Sequence, residues 1–268
     1  MIPKLVAIDL DGTVLDSRGK ISARTKAAIA AVRAAGARVV IVTFRAYRSS
    51  KPYAAELGLH VPLICINGAL VKDASDDRVL EAFPVPPEAA KAAVEYGMTQ
   101  GFDMCLFVGE CYVGDERVIK RFGDGWEHQW VRCDDLRQAL DEPTLMVRFF
   151  GDHRFEETRR DLAHLGLEEV DDWLGGTFEL TLMQKGVSKR FALERFSADL
   201  GIAREDVMAI GDGALDAGMI EWAGYGVAMR NAAPETLAAA DEITLSNDED
   251  GVAIVLERLF ADGVRARS

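Results

Sequence analysis

The stretch "LVAIDLDGTVLD" at residues 5–16 sets two carboxylates, Asp9 and Asp11, directly after an apolar run. Such a run reads as a strand buried on both faces. Period-two alternation then sends Asp9 and Asp11 to the same side of the strand's end. Four further segments carry matching chemistry. "VTFR" brings Thr43, Phe44 and Arg45, and "INGA" brings Asn67 and Gly68. "KGVSKR" brings Lys185 and Lys189, and "GDGALD" brings Asp212 and Asp216. Carboxylates gathered in one place repel unless they are protonated or metal-bound. Oxygen ligands with no nearby histidine favour a hard cation, and Mg2+ takes one or two carboxylates with waters and substrate phosphate. A carboxylate can also attack phosphorus to give an aspartyl-phosphate, with Mg2+ and a lysine neutralising the transferring group. Gly12 gives the backbone room to turn, and the amides of that turn can face a phosphate.

These residues act together only if the chain brings them to one place. A strand over 4–9 is followed by a helix over 22–36, with Ser22 as N-cap and Gly36 as stop. Then come a strand over 37–43, a helix in "YRSSKPYAAELGL" broken or begun near Pro52, and a third strand over 62–68. This alternation predicts right-handed crossovers and a parallel sheet covered on both faces. In open sheets of that kind, ligands bind beyond the carboxyl ends of the strands, where the residues named above lie. Pro84, Pro86 and Pro87 in "FPVPPE" mark a linker. Beyond it a helix over 87–100, a hairpin around Gly109-Glu110, a strand over 144–151, a helix over 155–166 and a strand over 176–184 predict a separate, antiparallel α/β unit. From 186 the first rhythm resumes, with a helix after Ser188, the strand "DVMAIGDG", the helix "LDAGMIEWAG", the strand "YGVAM" and the helices "APETLAAAD" and "EDGVAIVLERLF". "DGVRARS" reads as a frayed tail. The predicted fold is α/β: a parallel-sheet core of residues 1–83 and 186–268, with a domain of residues 84–185 inserted into it.

With 268 residues, 49% of them hydrophobic and 28% charged, the chain can bury a sizeable core. A formal net charge of −13 disfavours nucleic acid and anionic membrane as partners. An anionic substrate therefore requires a metal or a few cations to reverse the field locally. Cys65, Cys105, Cys111 and Cys133 show no CxxC spacing and read as small buried hydrophobes or free thiols. The first strand follows the N-terminus without a signal peptide, and no apolar stretch is long enough to span a bilayer, so the expected location is the reducing cytoplasm.

The motif "DLDGT" at 9–13, Thr43, Lys189 and "GDGALD" at 211–216 resemble the four motifs of the haloacid dehalogenase superfamily. More narrowly, the chain is similar to the Cof-type sugar-phosphate phosphatase branch, through "NGA" at 67–69, "KGVSK" at 185–189, "GVAMRNAAPE" at 226–235 and "NDEDGVA" at 247–253. The resemblance covers both core segments nearly end to end and implies a Rossmann-like core with an inserted α/β cap. It also implies a Mg2+-dependent phosphatase of a small phosphorylated metabolite. Asp9 would be the nucleophile and a metal ligand. Asp11 would be the general acid and base and would bind the metal through its backbone carbonyl. Asp212 would ligate Mg2+, and Asp216 would do so through water or would orient the site. Thr43 and Lys189 would bind the phosphate, beside a phosphate-binding set of Leu10, Gly12, Phe44, Arg45, Asn67 and Gly68. Three positions depart from the family's pattern. Phe44 replaces a glycine and can crowd the phosphate, Leu215 replaces an asparagine amide, and Arg190 replaces a glycine. Alternatives are a phosphomutase of sugar phosphates, or a phosphate-binding sensor in which Phe44 and Leu215 mark a degraded site. A homodimer stays open.

Other residues take plainer readings. Asp16 is a solvated turn residue, and Lys189 is preferred over Lys185 by its place ahead of the helix. Arg45 would either contact a substrate phosphate or pair with a surface acid. His60, His128, His153 and His164 read as surface or structural, and Trp126, Trp130 and Trp173 as core of the insert. The "DEPTL" and "EEVDD" clusters read as solvated faces.

Overall fold

In the computed structural model, which describes residues 2–122, 129–151, 155–174 and 177–265 (at 172–174, 177, 178 and 261–265 the backbone alone), Leu5–Ile8 forms strand β1. No residue of β1 exceeds 1% exposure, as a strand packed on both faces requires. Helix α1 (Ala23–Ala34) starts where Ser22 Oγ accepts the Thr25 N–H at 3.0 Å, and it buries Thr25, Ala28, Ile29 and Val32. Strand β2 (Arg38–Ile41) pairs parallel to β1. Helix α2 (Tyr47–Glu56) runs through Pro52, which neither breaks nor begins it. A proline there removes one N–H from the ladder. The first turn is held instead by the Ser49 and Ser50 hydroxyls, each donating to Ala46 O at 2.9 Å.

The third strand ends earlier than expected. Strand β3 (Leu63–Cys65) stops where Ile66, Asn67 and Gly68 take φ of 48°, 51° and 97°, and the chain returns antiparallel as β4 (Leu70–Lys72), with β5 (Val79–Ala82) beside it. A positive φ is strained for a β-branched residue such as Ile66. Two backbone bonds of 3.1 Å hold it, from Ile66 N–H to Arg45 O and from Asn67 N–H to Thr43 O. A parallel bridge between Val42 and Ile64 joins β3 to the strand-two side of the main sheet.

The insert comprises α3 (Pro87–Gln100), β6 (Asp103–Val108), β7 (Cys111–Gly114), α4 (Glu116–Phe122), β8 (Trp130–Arg132), β9 (Thr144–Gly151), α5 (Phe155–Leu162), β10 (Glu168–Leu174) and β11 (Thr177–Met183). Its six-stranded sheet has the order β10-β11-β9-β6-β7-β8 and is antiparallel except for the β7–β8 pair. One face packs Met104, Leu106, Val147, Phe149, Leu180 and Leu182 beneath residues of α3 and α5. Three elements were not anticipated: α4, β8 and β10. "EEVDD" is part of β10, an edge strand, and not simply a solvated face: Val170 is buried, while Glu169 and Asp171 both pair with Arg159. Charges along an edge strand discourage further pairing. In "DEPTL", Asp141 and Glu142 are exposed, but Thr144 and Leu145 are buried as the start of β9. Trp130 stacks on Tyr112 at 5.2 Å. Trp126, His128, His153 and the side chain of Trp173 lie outside the described residues.

The chain then adds α6 (Lys189–Asp199), β12 (Val207–Gly211), α7 (Ala217–Trp222), β13 (Tyr225–Ala228), α8 (Pro234–Ala239), β14 (Glu242–Ile243) and α9 (Gly251–Arg265). Helix α9 carries on through Arg265, so most of "DGVRARS" is helical; residues 266–268 lie outside the described residues. The main sheet has the order β14-β13-β12-β1-β2, all parallel, with Ile8 in register with both Ile210 and Ile41. On one side Leu5, Ala7 and Val40 pack with Leu193, Phe196, Met219 and Ile220 of α6 and α7. Each of the larger of these side chains contributes about 1.5–3 kcal/mol on burial. Contacts divide the chain into one unit of Met1–Glu81 with Ser188–Ser268 and a second of Ala82–Val187.

Candidate active site

Because β1 lies between β12 and β2, its carboxyl end is flanked on both sides by strand ends. Asp9 leaves β1 with its N–H donated to Ile210 O at 3.0 Å and its side chain buried. The chain then folds back on itself, with Leu10 O accepting from Thr13 N–H (3.3 Å) and Leu15 N–H (2.9 Å). Gly12 sits in that turn at φ +73°, and a Cβ there would lie 2.1 Å from Asp212 Oδ2. Both the backbone angle and the space therefore demand glycine. Leu10 is fully buried, so only its backbone is available to a ligand.

On the neighbouring segment, Ser188 Oγ caps α6 by accepting the Phe191 N–H at 3.1 Å. The helix thus opens on Lys189, 4% exposed, whose Nζ donates to Asp9 Oδ1 at 2.7 Å and Asp216 Oδ1 at 2.6 Å. Lys185 is exposed in the second unit. The second Asp216 oxygen accepts the N–H groups of Asp212 (3.1 Å) and Gly213 (2.9 Å), which folds the loop after β12 around the carboxylate. Asp212 Oδ1 accepts the Thr13 hydroxyl at 2.6 Å. Asn231, beyond β13, donates to Gly12 O at 2.8 Å and to Asp212 Oδ2 at 3.3 Å. Thr13 and Asn231 were not among the expected site residues. Their signals are a hydroxyl two residues after Asp11, within "DLDGT", and an amide just beyond the strand "YGVAM", within "GVAMRNAAPE".

Oxygens of Asp9, Asp212 and Asp216 lie within 4.8 Å of one another, beside a single buried ammonium. Burial raises the Asp9 carboxyl well above the usual carboxylate range, and Lys189 opposes that rise. Burial likewise pushes Asp212 up to about 6. Lys189 is drawn down by burial, but Asp216 and Asp9 overcome this and hold the ammonium above its ordinary value. Three crowded carboxylates against one cation leave negative charge unbalanced. The donors are all oxygen, and no histidine is in the cluster. That set fits a hard divalent cation of the Mg2+ type.

Asp11 is not part of this cluster. Its carboxylate is 55% exposed and is gripped by Arg45, with Nε donating to Oδ2 at 2.6 Å and Nη2 to Oδ1 at 2.5 Å. The acid that Arg45 meets is thus Asp11 itself. Thr43, after β2, is buried, and its Oγ1 accepts the Arg45 N–H at 3.1 Å. Phe44 is half-buried and Asn67 is buried. Gly68 lies so close to the start of α6 that a Cβ would meet Ser188 O at 2.3 Å. Leu215 is half-buried, whereas Arg190 is exposed and pairs with Glu194 at 2.6 Å, one turn along α6. Asp16 accepts the N–H groups of Arg18 and Lys20 at 2.9 Å, as a turn residue does. His60 and His164 are exposed. All four cysteines are free, and burial pushes the Cys65 and Cys105 thiols up to about 12, far from thiolate chemistry.

The profile of the haloacid dehalogenase-like hydrolase family matches residues 6–256. The chain belongs to that family. It is 32% identical over 272 residues to the 5-amino-6-(5-phospho-D-ribitylamino)uracil phosphatase YitU of Bacillus subtilis, covering 97% of this chain and 98% of the relative. It is 31% identical over 274 residues to the stress response protein YhaX of the same organism, covering 97% and 94%. Among solved structures, a haloacid dehalogenase-like hydrolase from Bacteroides thetaiotaomicron superposes with a TM-score of 0.84 at 28% identity, covering 96% of this chain and 99% of that one. Among the described residues, no helix is long and apolar enough to cross a membrane.

Proposed function

We propose that this hydrolase is a Mg2+-dependent phosphatase of a small phosphorylated metabolite, working through a phosphoryl group carried on Asp9. The observation that carries the reading is Lys189, a buried ammonium held between Asp9 and Asp216, with Asp212 completing the group of carboxylates. The substrate of the Bacillus subtilis phosphatase is itself a small phosphorylated metabolite, which supports the substrate class.

Asp9 and Asp212 would hold the cation directly, the backbone carbonyl of Asp11 would add a ligand, and Asp216 would contribute directly or through water. Bound there, Mg2+ would supply the positive charge that lets an anionic phosphate approach an anionic carboxylate. Lys189 would orient the Asp9 carboxylate through its 2.7 Å bond and bind a phosphate oxygen. The Thr43 hydroxyl and the amides of the turn around Gly12, with those near Asn67 and Gly68, would cradle the phosphate. The free Asp9 oxygen attacks phosphorus, and the bond to the leaving oxygen breaks as Asp11 supplies a proton. Asp11 then takes a proton from water, whose oxygen attacks the aspartyl-phosphate and restores the Asp9 carboxylate. The insert is proposed as the cap that excludes bulk water and selects the leaving group.

p-Nitrophenyl phosphate offered with and without Mg2+ tests the reading. Turnover that requires Mg2+ and is lost in Asp9→Asn supports it, and turnover no greater than that of Asp9→Asn overturns it.

A further inference from the structure

Arg45 is built into the site more firmly than a residue waiting for a ligand. Its N–H donates to Thr43 Oγ1 and its carbonyl accepts the Ile66 N–H, each at 3.1 Å, so both sides of its backbone are fixed. Its guanidinium lies over the Tyr53 ring of α2, 5.2 Å from the centroid. From there the planar fork meets both oxygens of Asp11 and keeps 81% of its own side chain out of solvent, while Asp11 is more than half exposed. A fork filled by a carboxylate is not offered to a phosphate. We infer that Arg45 is a positioning residue acting through Asp11: it fixes the Asp11 carboxylate in one orientation and does not bind the transferring phosphate. One N–H to each oxygen still leaves each oxygen a lone pair with which to accept a proton from water.

The inference rests on the proposed phosphatase reading and on the division of that reaction into two steps. With p-nitrophenyl phosphate the first step breaks the bond from phosphorus to the phenolic oxygen. p-Nitrophenolate leaves with the electron pair and needs little help from an acid. In the second step water attacks the aspartyl-phosphate, Asp11 takes its proton, and the bond from phosphorus to Asp9 breaks. A misdirected Asp11 therefore slows the second step selectively.

The test is rapid-mixing kinetics of the Mg2+-loaded enzyme with p-nitrophenyl phosphate, comparing wild type, Arg45→Ala, Arg45→Lys, Asp11→Asn and the Arg45→Ala/Asp11→Asn double variant. Loss of one orienting contact next to a reacting group costs about 10–100-fold in rate. The expected result for Arg45→Ala is a burst of nitrophenolate close to wild type, followed by a steady state lowered by about that factor. In the Asp11→Asn background the Arg45 substitution should then change nothing further, the non-additivity expected of two residues acting as one. Arg45→Lys keeps the charge but loses the fork, so it should stay impaired. A lysine that restores full turnover overturns the inference. So does an Arg45→Ala variant with a raised KM and slowed burst that are equal in both backgrounds, since that is the signature of a phosphate ligand. Thermal melting confirms that each variant is folded, and should Arg45→Ala not fold, Arg45→Lys alone decides between the two outcomes. A wild type with neither burst nor turnover refutes the phosphatase reading itself and takes the inference with it.

Discussion

Replacing Lys189 by methionine removes the one ammonium that the buried carboxylates share. Lys189 and Asp9 have side chains 5% and 6% exposed, Asp216 is at 1%, and the two contacts measure 2.7 and 2.6 Å. Methionine nearly fills the volume, so packing changes little, but a buried charge is left without its partner. Breaking such a pair costs about 3–5 kcal/mol. At roughly 2–4 °C per kcal/mol for a domain of this size, that is a fall in Tm of roughly 6–20 °C in EDTA. The pH dependence gives a second handle. Burial already raises Asp9, and Lys189 is the group opposing that rise, so without it Asp9 climbs further. A carboxyl raised above its unfolded value stabilises the fold while it is protonated, and that stability is lost as pH rises through the folded value. The deficit of Lys189→Met should therefore be greatest at pH 8 and shrink steadily on acidification toward pH 5. Urea denaturation of both proteins across that range, without metal, measures it. A deficit below about 1 kcal/mol that does not change with pH would refute the reasoning, because the pair would then contribute no more than an exposed one.

Three further outcomes follow from the same geometry. Mg2+ at about 100 times its Kd should stabilise the protein by about 2.7 kcal/mol at pH 8. Protons compete for Asp212, whose carboxyl lies at about 6, so the Mg2+-induced rise in Tm should fall away below that pH; an increment constant from pH 8 to 5 contradicts the assignment. Gly12→Ala should cost more than Gly19→Ala: both sit at φ near +70°, about 1–2 kcal/mol of strain for alanine, but only at Gly12 does the new Cβ collide with Asp212. Equal melting shifts would show that the contact carries nothing. Asn231→Ala, which frees Gly12 O and Asp212 Oδ2, should weaken Mg2+ binding by about 10–100-fold as read by calorimetry, with the fold intact.

Much of the core was legible because single residues spoke clearly. Ser22 announced α1, and the apolar run ahead of Asp9 marked a strand packed on both faces. The strand–helix rhythm then gave the parallel sheet. What escaped depended on contacts distant in sequence. Nothing local shows that Ile66 accepts a left-handed backbone because the Arg45 and Thr43 carbonyls hold the turn there, so the apolar run 62–68 overstates the length of β3. In "EEVDD" the acidic residues hide a strand: among its residues with described side chains only Val170 is buried, too little for an alternation signal. Proline rules argued against a helix through Pro52, yet serine hydroxyls support the turn before it. At the site, Asp9 and Asp212 leave neighbouring strand ends, and Lys189 from the start of α6 and Asp216 from the loop after β12 meet them. Period-two alternation alone does not reveal that Arg45 holds the Asp11 carboxylate, since that depends on a guanidinium thirty-four residues on.

The central claim is that the phosphoryl group passes through Asp9. Acid-quenching Asp11→Asn during turnover of p-nitrophenyl phosphate with Mg2+, followed by mass spectrometry of the peptide containing residues 5–16, tests it most directly. The account predicts one phosphoryl group on Asp9 in near-stoichiometric amount, absent from Asp9→Asn. Phosphate release from the wild type with no modified Asp9 in any quenched sample would contradict it.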